Sequence, residues 1–350
     1  MKNKGLIIGL IVFVLALAGC FAACGNVRIR LTGGLSEGEL FRIEDKVCTE
    51  AEARLFLMNQ KNRCEQAYGE KIWSVSLEDG STFADYMSSE LRDFLVQLKS
   101  MALMAESRGI SLSDEEERQI SEASSAYLSS VGEEALTYLG ISQEEMEQLY
   151  RDYQMARRLA DQISSLVQDE ISDDEARVIE VQQIVFAKTA VAEDGTETPL
   201  DEGQLSSLRA EAQTAADRAA AGEAFATLQE EYSDEEAGSI QVSRADVEDS
   251  WEEAVFSMES GEISGVIETE EAFYVVRCVN NLLSEETQAN KETILEQRRA
   301  ARFYQEYNAF TAELIPVYNE EGWEGLSFTD EDIPACTADF YEIYNQYFGA

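Results

Sequence analysis

The chain has 350 residues and a normal apolar fraction, enough for two ordinary domains with buried cores and a further small unit. Its 69 acidic and 27 basic side chains leave a formal charge of −42, a surface that repels phosphate backbones and excludes a nucleic-acid partner. No histidine is present, which removes Ser-His-Asp chemistry and the usual mixed zinc sites.

Lys2 and Lys4 precede an uncharged apolar run, Leu6 to Ala18, the n-region and h-region of an export signal. The run ends in Leu17-Ala18-Gly19-Cys20, which resembles a bacterial lipobox; Cys24 is a second candidate for lipid attachment. The same stretch is also about long enough to be an uncleaved anchor. Either reading makes residues 1–24 a signal peptide or membrane anchor. Residues 25–350 are then expected on the extracytoplasmic face of the cell membrane. Cys48, Cys64, Cys278 and Cys336 contain no Cys-x-x-Cys, and their spacing specifies no pairing. Free thiols, buried at Cys64 and Cys278, are the expectation, and no metal site is expected.

Residues 25–46 read as a spacer with a short apolar segment, Leu40 to Ile43. Many Ala, Glu, Leu and Gln residues and only three prolines make the chain mostly helical. Thr49-Glu50-Ala51-Glu52 has the form of a capping box and starts a helix to about Tyr68. Thr82 to Asp85 starts a longer one, with Met87, Leu91, Phe94, Leu98, Met101 and Ala105 at three- and four-residue steps, ended by Gly109. Ser113 to Glu116 and Ser142 to Glu145 cap two more, the last running towards Val167. This predicts a helical domain over residues 25–168.

After an acidic hinge, Asp169 to Glu175, Arg177 to Phe186 is rich in β-branched residues and reads as a strand. Residues 189–201 read as a loop, and Gln204–Ala221 and Glu223–Tyr232 as two helices. Residues 233–246 look irregular and Val247–Met258 helical. Two β runs follow, Val266-Ile267 and Phe273 to Val276. The order βαααββ over residues 170–282 predicts an α+β domain on an antiparallel sheet of four strands or fewer. Ser284 to Tyr318 is again helical, and residues 321–350 are aromatic. Residues 283–320 and 321–350 are expected to pack on the helical domain, which leaves the α+β domain as an insertion.

"FATLQEEYSDEEAG" and "WEEAVFSMESGEISGVIETEEAFYVVRCV" resemble the parvulin class of peptidyl-prolyl isomerase. In that family a Phe-x-x-Leu-x-x-x-Tyr-Ser helix precedes a Phe-Glu-x-Ala-x-Phe segment with Gly-Glu-Ile-Ser and a final Tyr-His strand. The order of export signal, helices, such a domain and a returning helix is similar to the extracytoplasmic foldases PrsA and SurA.

The resemblance implies a proline cup and also marks where this chain departs from the family. Gln183 stands where the first strand carries a histidine, and Tyr274 where the last one does. Asp234 or Glu235 takes the place of the family's Asp or Cys, and Val247 and Trp251 those of a pocket Met and Phe. Ile240 and Phe256 complete the expected cup. The family's Gly-Gly-Asp-Leu-Gly turn is missing, and the acidic loop 189–201 argues against phosphoserine-directed isomerisation.

Three functions are therefore weighed. One is a membrane-tethered foldase that binds unfolded or nascent secreted polypeptides, with isomerase activity weak or lost. The second is an active prolyl isomerase, and the third a non-catalytic structural envelope lipoprotein. No Gly-x-x-x-x-Gly-Lys loop or Gly-x-Gly-x-x-Gly follows a strand, so neither nucleotide nor any other cofactor is expected.

Overall fold

Helix starts in this chain are set by its short polar boxes. Thr49, Thr82, Ser113 and Ser142 each accept the backbone N–H three residues on. The acid there, Glu52, Asp85, Glu116 or Glu145, accepts the cap's own N–H in return. Asp201 and Gln204 form a fifth box. Each box satisfies two orphan donors, and losing its cap residue costs about 1 kcal/mol.

The computed structural model describes residues 30–31, 34–191, 197–233, 237–244, 247–336 and 338–349. Cys20, Cys24 and the rest of the export signal lie outside the described residues, as do Asp234 and Glu235. Among the described residues no helix is long and apolar enough to cross a membrane.

In chain order the elements begin with β1 (Arg30–Leu31), β2 (Glu39–Ile43) and β3 (Lys46–Thr49). Helices α1 (Glu50–Tyr68), α2 (Phe83–Ser107), α3 (Asp114–Ser130), α4 (Glu133–Leu139) and α5 (Gln143–Ser165) follow. Next come β4 (Val178–Ala187), β5 (Thr189–Val191), β6 (Glu197–Pro199), α6 (Glu202–Ala220) and α7 (Phe225–Tyr232). β7 (Ile240–Ser243), α8 (Asp249–Val255), β8 (Ile267–Glu268) and β9 (Ala272–Asn280) come after them. The chain closes with α9 (Ser284–Thr311), β10 (Val317–Tyr318), α10 (Glu320–Glu324) and α11 (Phe340–Phe348).

Two compact units result, one of residues 1–166 with 300–350 and one of residues 167–299. The second crossing between them falls inside α9.

In the first unit α2 and α3 pack on α5, and α11 packs on α3. An aromatic core joins them: the rings of Tyr150 and Phe340 are 4.5 Å apart, Tyr153 and Tyr344 4.7 Å, and Phe56 and Phe340 4.9 Å. Phe303 and Tyr307 of α9 are buried in the same core.

Beneath it lies a closed ionic cluster. Lys99 Nζ donates to Glu52 at 2.6 Å and to Asp152 at 2.8 Å, and all three side chains are at most 4% exposed. Lys46 Nζ reaches Glu106 at 2.6 Å and Asp152 at 3.3 Å. Burial alone would push the Lys99 ammonium down, but the Glu52 and Asp152 carboxylates outweigh it and the net shift is upward. For Asp152 burial pushes up, Lys99 and Lys46 outweigh it, and the net shift is downward.

Four segments differ from the sequence reading, β7 among them. The spacer contributes β1 to β3, which join β10 in a four-stranded sheet ordered β1-β10-β2-β3. Helix α9 stops at Thr311, ahead of Pro316, whose ring and missing N–H forbid continuation, and β10 follows. Residues 189–191 and 197–199 pair as a hairpin rather than forming an open loop.

The second unit holds the expected four-stranded antiparallel sheet, ordered β7-β4-β9-β8. Its outer strand β7 comes from the stretch read as irregular, so the order of elements is richer than βαααββ. Along β4 and β9 the side chains alternate between two small cores. Ile184, Phe186, Phe273 and Val275 meet alanines of α6 and Phe225 and Leu228 of α7. Val181, Val276 and Cys278 meet Trp251 and Val255 of α8. All four described cysteines are free; Cys48 and Cys278 are buried, and Cys64 is only partly so.

Candidate functional site

The polar candidates are placed by register. Gln183 of β4 opposes Val276 of β9, and Val185 opposes Tyr274. Directly opposed residues share a face, so Gln183 and Tyr274 both stand on the Trp251 side of the sheet. As diagonal neighbours they are about 7–8 Å apart, within reach of one bound peptide group. Val247 and Tyr274 pack at the margin of the Trp251 core. Ile240 opposes Val181 on the same face and is 45% exposed.

The structure thus brings Gln183, Ile240, Val247, Trp251 and Tyr274 to one face. Trp251 is only 3% exposed, so it forms the floor of that face rather than an open wall. Phe256 packs in the same core as Trp251, with their ring centroids 6.5 Å apart. Arg177 and Arg244 cover its ring at 5.4 and 4.8 Å, and Arg177 also donates to the Phe256 carbonyl at 2.7 Å. Arg177 precedes β4, whereas Gln183 lies well along that strand, so Phe256 is anchored at the strand's beginning. Two cations pack against its ring and it is 4% exposed, so like Trp251 it belongs to the buried floor. Two arginines at residues 177 and 244, within otherwise acidic sequence, were the signal for that packing.

The site also contains a residue that sequence reading passed over. Gln229 of α7 is 4% exposed, and its Nε2 donates to the carbonyls of Gln183 and Gly238, both at 3.0 Å. It follows Phe225 and Leu228 at helical spacing, so a polar residue interrupting an apolar stripe was legible. Cys278 lies beneath the face, and burial pushes its thiol up, which keeps it protonated and inert.

The described part of the face therefore offers a side-chain amide, a phenol and an apolar floor. An amide and a phenol can donate hydrogen bonds, but neither becomes a cation near neutral pH. The arrangement suits binding and orienting an amide more than moving a proton.

Residues 204–311 match the family described as the PPIC-type PPIASE domain. The match begins after β4, so it includes Trp251 and Tyr274 but not Gln183. No sequence relative is found among curated proteins. Among solved structures the chain is similar to PrsA from Bacillus subtilis, at 13% identity over 83% of this chain and 93% of that one, with a TM-score of 0.25. It is similar to the peptidylprolyl isomerase PrsA from Bacillus cereus, at 15% identity over 88% and 99%, with a TM-score of 0.37. A structure of SurA-like chaperones from Campylobacter jejuni matches at 10% identity over 81% and 100%, with a TM-score of 0.28. Likeness that remote transfers no mechanism. The match supports a parvulin-type domain within residues 204–311.

Proposed function

We propose that this chain is a membrane-tethered extracytoplasmic foldase. It binds unfolded exported polypeptides through its helical unit and takes prolyl segments on the Gln183–Tyr274 face, with isomerase turnover weak or lost. The observation that carries the reading is the diagonal placement of Gln183 and Tyr274 over Trp251 in a domain that matches the PPIC-type family.

Prolyl isomerisation breaks no covalent bond. Its barrier, about 18–20 kcal/mol for a peptide bond, comes from the partial double bond of C–N. A protein lowers it by taking the imide out of water and holding the twisted amide more tightly than the planar one. Trp251 and Val276 supply an apolar floor, and Gln183 and Tyr274 can donate to the substrate carbonyl. No cationic donor stands at either position, so grip is retained better than speed. The acidic surface disfavours phosphorylated segments.

The retained donors also favour a second reading, an active isomerase. NMR exchange on Xaa-Pro peptides with the full-length protein separates the two. Peptide binding with turnover well below that of an active parvulin is the expected result, and acceleration within tenfold of one assigns the second reading. Suppression of aggregation of a reduced, unfolded client at equimolar ratio is expected under both. If aggregation is unchanged and no peptide binds, a structural envelope role replaces them.

A further inference from the structure

We propose that Gln229 is a positioning residue of the prolyl-peptide face, a side-chain rung that ends the β4–β7 ladder at Gln183 and holds the sheet open there. The proposal rests on the reading above for its substrate, but its geometry is independent of that reading.

The ladder between β4 and β7 pairs Val178 with Ser243, Ile179 with Val242, Glu180 with Gln241 and Val181 with Ile240. Each step forward on β4 is one step back on β7, so the next partners in register are Gln182 with Ser239 and Gln183 with Gly238. Strand β7 nevertheless stops at Ile240. At the Gln183–Gly238 step the amide of Gln229 intervenes and donates to both carbonyls at 3.0 Å. A direct rung would bring a backbone N–H to a carbonyl at about 2.9 Å. The two carbonyls share one side-chain donor at a register that the paired strand does not reach, so the amide takes the place of a rung there.

The residue is costly to keep there. Its Oε1 is buried without a hydrogen-bond partner among the described residues, a cost that an apolar residue on α7 would not carry. What the glutamine supplies is the double donation. Phe225 and Leu228, buried on the same helix, fix its backbone, so the amide arrives from a rigid support. The consequence falls on the site. Gln183 is held by its own carbonyl at the point where the sheet opens, and Ile240 becomes the last paired residue of the edge strand, with its side chain exposed.

The test uses full-length protein, residue-resolved amide exchange at Gly238, and the affinity of the peptide Ala-Ala-Pro-Phe. Gln229→Ala is expected to let the ladder close, so Gly238 exchange slows at least tenfold relative to global opening and peptide affinity falls at least fivefold. Ala212→Gly, a buried truncation on the neighbouring helix α6 that leaves the amide and its support in place, is expected to change both by less than twofold at matched overall stability. Faster Gly238 exchange in Gln229→Ala, or equal effects in the two variants, overturns the rung. Should Gln229→Ala not fold, Gln229→Met keeps the bulk without donating. A fivefold loss of affinity is then expected, and unchanged affinity overturns the proposal. A wild-type chain that does not bind the peptide overturns the prolyl reading instead, while Gly238 exchange still decides the rung.

Discussion

Each unit contains an ionic cluster of cations and carboxylates, and the two differ in solvent. In the first, Lys99, Glu52 and Asp152 are closed to water, with every partner in place. In the second, Arg298 holds Asp169 at 3.1 Å and also Glu175, and Lys291 holds Asp173 at 2.5 Å. Those carboxylates are 40% to 80% exposed. A buried pair is worth little more than its apolar replacement yet is severe to break, whereas an exposed pair is mild in both directions. Pairing of cations with carboxylates thus has a different role in each place. Inside it fixes which elements meet, and outside it trims a surface segment.

The largest test of that difference is Lys99→Met. Removing this cation leaves Glu52 buried without its lysine partner and Asp152 with Lys46 as its remaining cation at 3.3 Å, at an expected cost of about 3–5 kcal/mol in denaturant unfolding of the first unit. The combined variant Lys99→Met, Glu52→Gln, Asp152→Asn removes the stranded charges and should recover part of the loss. A triple variant no more stable than the single one would show that the network is not the source.

Acid should act on the same unit next. Glu116 accepts from the Ser113 N–H at 2.9 Å, from Gln154 at 2.8 Å and from Arg158 at 2.6 Å. Burial pushes its carboxyl up, but those donors outweigh it and hold it at about 2, below its usual 4.5. Asp152 is also lowered. A carboxylate with a depressed folded pKa stabilises fully above its unfolded value and loses that contribution as pH falls through the folded one. Stability should therefore hold down to about pH 5 and fall towards pH 2. Glu116→Gln should cost about 1–2 kcal/mol at pH 7 and flatten the acid slope. An unchanged slope would assign the acid response elsewhere.

How much of this was legible follows from how local each cause is. The capping boxes at Thr49, Thr82, Ser113 and Ser142 act within four residues, and all four helix starts were read correctly. Strands β1, β7 and β10 are two to four residues long, and their partners lie far along the chain, so nothing in their own composition marks them. At the site, Gln183 and Tyr274 were found through the resemblance, and register explains why they stand together. Phe256 packs with Trp251 in one core, and the two guanidinium groups over its ring are a tertiary fact that its own sequence neighbours do not mark.

Neutral groups at the half-open face should respond differently from either ionic cluster. Tyr274→Phe and Gln183→Ala each remove one donor from a partly buried position on this face. Affinity for a prolyl peptide should fall by about 1 kcal/mol each, roughly fivefold, as isothermal titration would read. Equal affinity for the same peptide with alanine in place of proline would remove the face from the function.

The smallest expected effect belongs to the exposed cluster, and it sharpens the contrast most. Arg298→Gln frees Asp169 and Glu175 within the second unit, yet both carboxylates already face water. Each pair gains little in high dielectric and costs side-chain order, so the expected loss is about 0.5 kcal/mol at low salt. Raising the ionic strength shortens the screening length to about 3 Å at 1 M, and the difference between variant and wild type should then vanish. Lys99→Met, whose partners are shielded by protein, should keep its deficit in the same salt series. If both deficits faded together, solvent exposure would not be what separates the two clusters, and the segment 169–175 would have to be held by something other than its charges.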